Sequence, residues 1–157
     1  LFIQEGACDG ENEKLYPIRI TWKDIDKRIK PYFLEIHDVA EEKKLYKELM
    51  GNTMTIDLTK DDIVFYIAND LSVYPNISNI TPWWKVGNLK ENSPEEIIGN
   101  YLNHKCLSMN VSNTVPISKI VETAGNKKSN KLFRLEDYRI YLLNRYCQKL
   151  MEESNEK

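Results

Sequence analysis

The sequence KLFRLEDYRIYLLNRYCQKLME, residues 131–152, predicts one long amphipathic helix at the end of the chain. Its apolar residues recur three or four positions apart and share one face: Leu135, Tyr138, Leu142, Leu143, Tyr146, Cys147, Leu150 and Met151. This spacing is typical of a helix with one broad buried side.

Before this helix, the sequence predicts a polar loop at Gly125–Asn130 and a short helix at Pro116–Ala124. Cys106–Val111 is predicted to be a strand. Ser93-Pro94-Glu95-Glu96 is the clearest helix start, because serine caps the first turn, proline at the first position loses no needed donor, and Glu96 reaches back. Four residues form the apolar stripe of that helix: Ile97, Ile98, Tyr101 and Leu102.

Residues 72–90 contain Pro75, Pro82 and Gly87 and are predicted to be irregular. Before them, residues 63–67 fit either a short helix or a buried strand. Alternation at Met54, Ile56 and Leu58 predicts a half-buried strand. An earlier helix opens on a capping box of Asp38 and Glu41 and ends at Gly51-Asn52.

The first part of the chain is predicted as a lead-in over residues 1–14, a strand at 15–20, a helix from Thr21 to Pro31 and an extended stretch at 32–36. Irregular alternation of helices and short strands favours an α+β fold. We expect one compact mixed domain over 15–152, with possible small lobes at about 15–75 and 76–152, and a tail at 153–157.

Composition and charge restrict the function classes. Of 157 residues, 41% are hydrophobic and 29% charged, and the formal net charge is −2. Direct nucleic-acid binding is not expected, because such domains need a basic excess. The local basic run of Lys127, Lys128, Lys131 and Arg134 is interpreted as a solvated loop and helix start.

Three widely spaced cysteines, Cys8, Cys106 and Cys147, have no metal-ligand spacing and cannot all pair. Reduced cysteines in the nucleus or cytoplasm are the simplest account. Neither a membrane span nor a signal peptide is predicted, and the first residue, Leu1, suggests a fragment of a longer protein. Glycosylation sequons at Asn76, Asn79 and Asn110 are attributed to chance in an Asn-rich chain.

The inventory of catalytic groups is thin. His37 and His104 are the only histidines, and the carboxylate pairs 61–62 and 95–96 fit helix first turns. Phosphate loops, nucleophile motifs and paired CxxC motifs are absent from the sequence. We expect a protein that is not an enzyme and that needs no cofactor or metal.

Aromatic residues in predicted loops indicate a protein contact instead. Tyr74, Trp83, Trp84 and Lys85 lie in the irregular stretch, and adjacent residues of an extended segment point opposite ways, so one indole ring should face outward. The alternative is that one tryptophan folds back onto the core. A second candidate surface, with core packing again the alternative for its tryptophan, comprises Tyr16, Arg19, Trp22 and Arg28.

Three stretches carry a resemblance to a known family: LYPIRI (15–20), TIDLTKDDIVFYIANDLSVYP (55–75) and TPWWKV (81–86). They resemble the domain with which the first of the yeast silent information regulator proteins engages the origin recognition complex. The resemblance covers about half of the chain and rests on the order and texture of the residues: a strand with YP, a K-D-D segment, and an aromatic pair before a basic residue.

The resemblance implies a two-lobed α/β domain that binds the bromo-adjacent homology (BAH) domain of the largest origin-recognition subunit. It also implies a place in the nucleus, at the silencers of the mating-type loci in chromatin. There the rest of the protein would recruit other silencing regulators for transcriptional repression.

Two other interpretations remain open at this point. The Asn/Ile/Lys-rich composition also permits a viral or bacterial effector that binds a host signalling protein. A small enzyme that uses Cys106 or His104 is the other alternative.

Overall fold

The computed structural model describes residues 39–56, 58, 64–75 and 80–155. Within these ranges helices and short antiparallel strands share one hydrophobic core, so the α+β prediction is confirmed. The elements follow in chain order: β1 (Val39–Glu41), α1 (Glu42–Met50), β2 (Phe65–Ile67), β3 (Ser72–Pro75), a 3-10 turn (Pro82–Trp84), β4 (Gly87–Asn88), α2 (Pro94–Leu102), α3 (Leu107–Thr114), α4 (Ile117–Ala124), β5 (Leu132–Arg134) and α5 (Leu135–Asn155).

The last helix is the centre of the core. Tyr138, Leu142, Leu143 and Cys147 are fully buried on the predicted face of α5. Helix α4 packs between α1 and α5 and buries Ile120 and other apolar residues there. The broad apolar face is therefore confirmed.

The start of α5 differs from the prediction. Residues Leu132–Arg134 form strand β5, which pairs antiparallel with β1 and places Phe133 opposite Ala40. The reason is the burial of Phe133. In a strand, successive side chains point to opposite faces, so Phe133 points to the core while its neighbours Leu132 and Arg134 point away from it.

The second sheet has the strand order β2-β3-β4 and is antiparallel throughout. Tyr66 lies opposite Tyr74, and Ser72 lies opposite Asn88. Residues 63–67 were predicted to be either a short helix or a buried strand. Phe65–Ile67 form strand β2, but Tyr66 and Ile67 are exposed, so the predicted burial is wrong. The irregular stretch predicted at 72–90 is wrong in part, because β3 and β4 lie within it.

The capping box of α2 forms as predicted. The backbone N–H of Glu96 donates to Ser93 Oγ at 3.2 Å, and the backbone N–H of Ser93 donates to Glu96 Oε2 at 2.8 Å. Pro94 occupies the first turn. Two donors that a helix start leaves unpaired are thus satisfied by one pair of side chains.

Helix α1 begins differently from the prediction. Glu41 is its N-cap and forms no side-chain cap bond, whereas the Glu42 N–H donates to the backbone oxygen of Lys131 at 2.7 Å. The chain next to β5 thus takes the role predicted for the Asp38–Glu41 box, and Asp38 lies outside the described residues. Gly51 ends the helix as predicted.

Two predicted strands are wrong. Residues 107–114 form helix α3, where Cys106–Val111 was predicted to be a strand. Ser108 and Ser112 are buried in this helix, and their hydroxyls donate to backbone oxygens. At 54–58 the described residues form no strand; the Ile56 N–H donates to the Ser112 oxygen at 2.9 Å. The segment is fixed to helix α3 and not to a sheet.

The lead-in, the strand at 15–20, the helix from Thr21 and the extended stretch at 32–36 lie outside the described residues. The domain limits and the two lobes remain predictions.

Candidate functional site

The structure describes half of the residues that the sequence proposed for a protein contact. Tyr74 and Trp84 are buried, Trp83 is half-buried, and Lys85 is exposed. The expectation that the loop displays its rings is wrong for Tyr74 and Trp84, because buried side chains cannot supply contact area. The second set lies outside the described residues: Tyr16, Arg19, Trp22 and Arg28.

The tryptophan pair turns inward because its backbone is not extended. Residues 82–84 form a 3-10 turn, in which the Trp84 N–H donates to the Thr81 oxygen at 3.0 Å. Successive side chains then lie about 120° apart and not on opposite sides. Both indole N–H groups donate to the same atom, Asn144 Oδ1, at 2.9 Å from Trp83 and 2.7 Å from Trp84. The Trp84 ring is therefore directed into the core, and the Trp83 ring is partly exposed while its N–H is bonded to Asn144.

Asn144 is the residue that sequence reasoning missed. It lies on α5 between apolar residues of the buried face, and an amide at such a position signals a buried hydrogen-bond partner. A third hydrogen bond holds the turn: the Ser108 hydroxyl donates to the Trp83 backbone oxygen at 2.7 Å. The tryptophan turn is thus a fixed part of the core.

The cysteine and histidine named for the enzyme alternative do not form a reactive pair. Burial raises the pKa of the Cys106 thiol, whose sulfur lies 3.6 Å from Ser108 Oγ. Burial also raises the pKa of Cys147, to about 12, with the charge of Cys106 as a second cause. His104 is in the left-handed region, with φ of 52°, and among the described residues no hydrogen bond joins it to Cys106. Such thiols stay protonated and react slowly.

We predict that Cys106 and Cys147 resist alkylation in the folded protein. In a Cys8→Ser variant at pH 8, both thiols should react with a disulfide reagent at least about 100-fold more slowly than in denaturant. The reason is that the fraction of thiolate is small and the sulfur atoms are buried from the reagent. The stability that their neutral state contributes is present below pH 9 and is lost as the pH rises toward 12, the folded pKa of Cys147. Rapid stoichiometric labelling without denaturant would contradict this account.

Exposed apolar side chains gather instead on the β2–β3 hairpin. Val64, Tyr66, Ile67 and Leu71 are 63%, 56%, 53% and 38% exposed. These four residues are named the hairpin patch. A single exposed apolar residue is ordinary, but four within eight residues are a feature that needs explanation.

Helix α2 fixes the hairpin from one face of the sheet. A Cβ on Gly87 would lie 2.8 Å from Ile97 Cγ1, so the helix approaches the sheet closely. The Phe65 ring meets the Tyr101 ring edge-on, with centroids 5.5 Å apart. Because neighbouring strand residues point to opposite faces, Val64 and Tyr66 point away from α2, whereas Ile67 lies on the same face as Phe65, so the hairpin patch occupies both faces of the hairpin.

Helix α2 adds two exposed apolar residues of its own. Ile98 and Leu102 are one turn apart and exposed, and helical geometry places them opposite Asn100. The Asn100 amide donates to the Val86 oxygen at 2.9 Å. Ile98 and Leu102 therefore lie on the flank of α2 that faces away from Val86.

The hairpin turn is held by a polar cluster. The Ser72 N–H and hydroxyl donate to the two carboxylate oxygens of Asp70 at 3.0 and 2.9 Å. These bonds, with a smaller contribution from the charge of Lys85, hold the pKa of Asp70 below its usual value. The Asn88 amide donates to the Asp70 backbone oxygen at 3.0 Å. Asp70 therefore presents a fixed negative charge at the end of the hairpin.

Leu71 has a strained backbone in this turn. Its φ is 67°, in the left-handed region that glycine and asparagine adopt more readily. A branched side chain there costs about 1 kcal/mol. Leu71 is thus both strained and 38% exposed.

Comparison of the chain with protein-family models, curated proteins and solved structures found no match. In the residues that the structure describes, no group of three or more His, Cys, Asp or Glu side chains is placed to hold a metal ion. Nor does a helix within those ranges have the length and apolar character to cross a bilayer.

Proposed function

We propose that this chain is a protein-interaction domain whose partner is the BAH domain of the largest subunit of the origin recognition complex. In this proposal the domain acts in the nucleus, at chromatin, by bringing silencing regulators to the mating-type silencers for transcriptional silencing. The partner's identity rests on the resemblance of residues 15–20, 55–75 and 81–86.

The observation that carries an interaction role is the hairpin patch. Its four apolar side chains are exposed within eight residues of the chain, and Leu71 is held at a strained backbone angle. Protein interfaces use large apolar and aromatic side chains in their centre, and Tyr is among the commonest anchors. The patch lies within residues 55–75, the longest stretch of the resemblance.

In this proposal the contact surface is the hairpin patch and not the tryptophan turn at 82–84. The tryptophan turn was the expected anchor, but its indoles are engaged by Asn144. The adjoining hairpin offers Tyr66 and Leu71 in its place. Lys85 stays exposed and close enough to Asp70 to affect its pKa, so it remains a candidate contact at the rim.

We predict opposite effects of Leu71→Asn on stability and on binding. Asparagine adopts the left-handed conformation more easily, so the free energy of unfolding should stay equal or rise by up to about 1 kcal/mol. Affinity for an isolated BAH domain should fall about tenfold, because the variant removes apolar contact area. Denaturant unfolding and titration calorimetry measure the two quantities.

Two further variants complete this test. Tyr66→Thr keeps the preference for a strand and should weaken binding about 30-fold. Met54→Thr is the matched control, because Met54 is 72% exposed and lies outside the patch; its affinity should match the native protein. A native chain that does not bind the BAH domain would refute the proposed partner. Equal loss at Met54 and Tyr66 would refute the patch.

A further inference from the structure

Strand β2 is the edge of its sheet in the part of the chain that the structure describes. Along an antiparallel pair, backbone groups point alternately toward the partner strand and away from it. The Ala68 N–H donates to the Ser72 oxygen at 2.9 Å, which fixes the phase of that alternation. The register then directs the groups of Tyr66 toward β3 and those of Phe65 and Ile67 outward.

The neighbouring strand agrees with this phase. Val73 lies opposite Ile67, and its oxygen accepts from the Val86 N–H on the far side at 2.9 Å. Among the described residues, the outward N–H and C=O groups of Phe65 and Ile67 have no hydrogen-bond partner. The edge thus carries two donors and two acceptors in the spacing of a β-ladder.

Within residues 64–68 the edge strand also lacks two sequence features with which proteins protect such strands. Residues 64–68, Val-Phe-Tyr-Ile-Ala, contain no charge and no proline. Natural edge strands usually carry a lysine, a proline or a bulge that blocks pairing. An unprotected edge flanked by exposed apolar side chains is the arrangement that accepts an added strand.

We propose that the open edge of β2 binds an extended segment of the partner protein as an additional β-strand. The inference rests on the proposed function, because the added strand comes from the partner. Complementarity defines its chemistry: apolar or β-branched residues lie against the uncharged 64–68 run, and a lysine or arginine at one end lies beside the fixed charge of Asp70.

The test removes one outward donor. Ile67→Pro deletes the N–H that points to the open edge and leaves the ladder to β3 intact, which is where sheets tolerate proline. Tyr66, which precedes it, already has the extended backbone that proline requires. Ile67→Ala is the matched control, since it removes the same exposed apolar side chain and keeps the N–H. Affinity for the BAH domain should be about tenfold lower for the proline variant than for the alanine variant.

Hydrogen exchange gives a second measurement that needs no variant. The amides of Phe65 and Ile67 should exchange fast in the free protein and gain protection in the complex, while the Tyr66 amide is protected throughout. The same measurement is made with the synthetic peptide KTVTITVK, a probe with apolar alternation and basic ends. Protection of both outward amides by either ligand supports strand addition.

The outcomes separate the two proposals. If the BAH domain binds but Ile67→Pro binds equally and the two amides stay unprotected, strand addition is wrong and the proposed function stands. If the BAH domain does not bind, the proposed function fails and the peptide alone decides: protection supports the edge, and its absence overturns it. A dimer in sedimentation that Ile67→Pro abolishes would assign the edge to a second copy and overturn the partner strand.

Discussion

Replacement of Asn144 by alanine should lower the free energy of unfolding by about 3 kcal/mol. Its Oδ1 atom accepts from the indole N–H groups of both Trp83 and Trp84. The variant leaves two donors without a partner, one of them on a side chain that is only 1% exposed. Each such loss costs about 1–3 kcal/mol, and Trp83 contributes the smaller share because water reaches part of its ring. Urea unfolding monitored by tryptophan fluorescence measures the change.

A second amide on the same helix provides the control. Gln148 is exposed and donates to Glu152, so Gln148→Ala should change stability by less than about 0.5 kcal/mol. Asn144→Ala should also red-shift the native tryptophan emission, because the turn at 82–84 loses its tie to α5. Equal stability of the two variants would show that Asn144 does not hold the turn.

This pair of tryptophans marks the boundary of what the sequence predicts. Capping signals at Ser93 and Gly51 and the spacing along α5 are local, and the structure confirms them. The direction of the indoles depends on Asn144, about 60 residues away in the chain. A side chain that can lie in the core or on the surface is placed by such distant partners, which no local pattern contains.

The exposure of the hairpin patch also could not be predicted from the sequence. Val64, Phe65 and Ile67 were predicted to belong to a short helix or a buried strand. Among the described residues β2 instead lies at the edge of its sheet, and of its three residues Phe65 alone is partly buried, against Tyr101. Strand order follows from long-range pairing, and the sequence of one strand does not reveal whether it lies at the edge.

Removal of the buried Glu42 side chain should have the largest effect on stability. Glu42→Ala is expected to lower the free energy of unfolding by about 4 kcal/mol. The Glu42 Oε1 atom accepts from the Asn126 N–H at 3.1 Å and from the Tyr138 hydroxyl at 3.3 Å, and the side chain is 1% exposed. Burial, and after it the neighbouring Glu42, raises the pKa of Tyr138 well above its usual value, so the hydroxyl remains a donor. The variant combines two unpaired donors with a cavity.

The loop that follows α4 packs closely against the surroundings of this carboxyl group. A Cβ on Gly125 would lie 2.7 Å from Tyr46 Cδ2 and 3.1 Å from the Tyr138 hydroxyl, so the loop lies close to both α1 and α5. Glu42→Gln retains the volume and one acceptor and should lose less than half as much as alanine. Glu48→Ala, at an exposed position of the same helix, should be nearly neutral. Because the hairpin patch shares none of these hydrogen bonds, Glu42→Ala should leave the affinity of the folded fraction unchanged. A weaker intrinsic affinity would mean that the first sheet and the hairpin are coupled through the core.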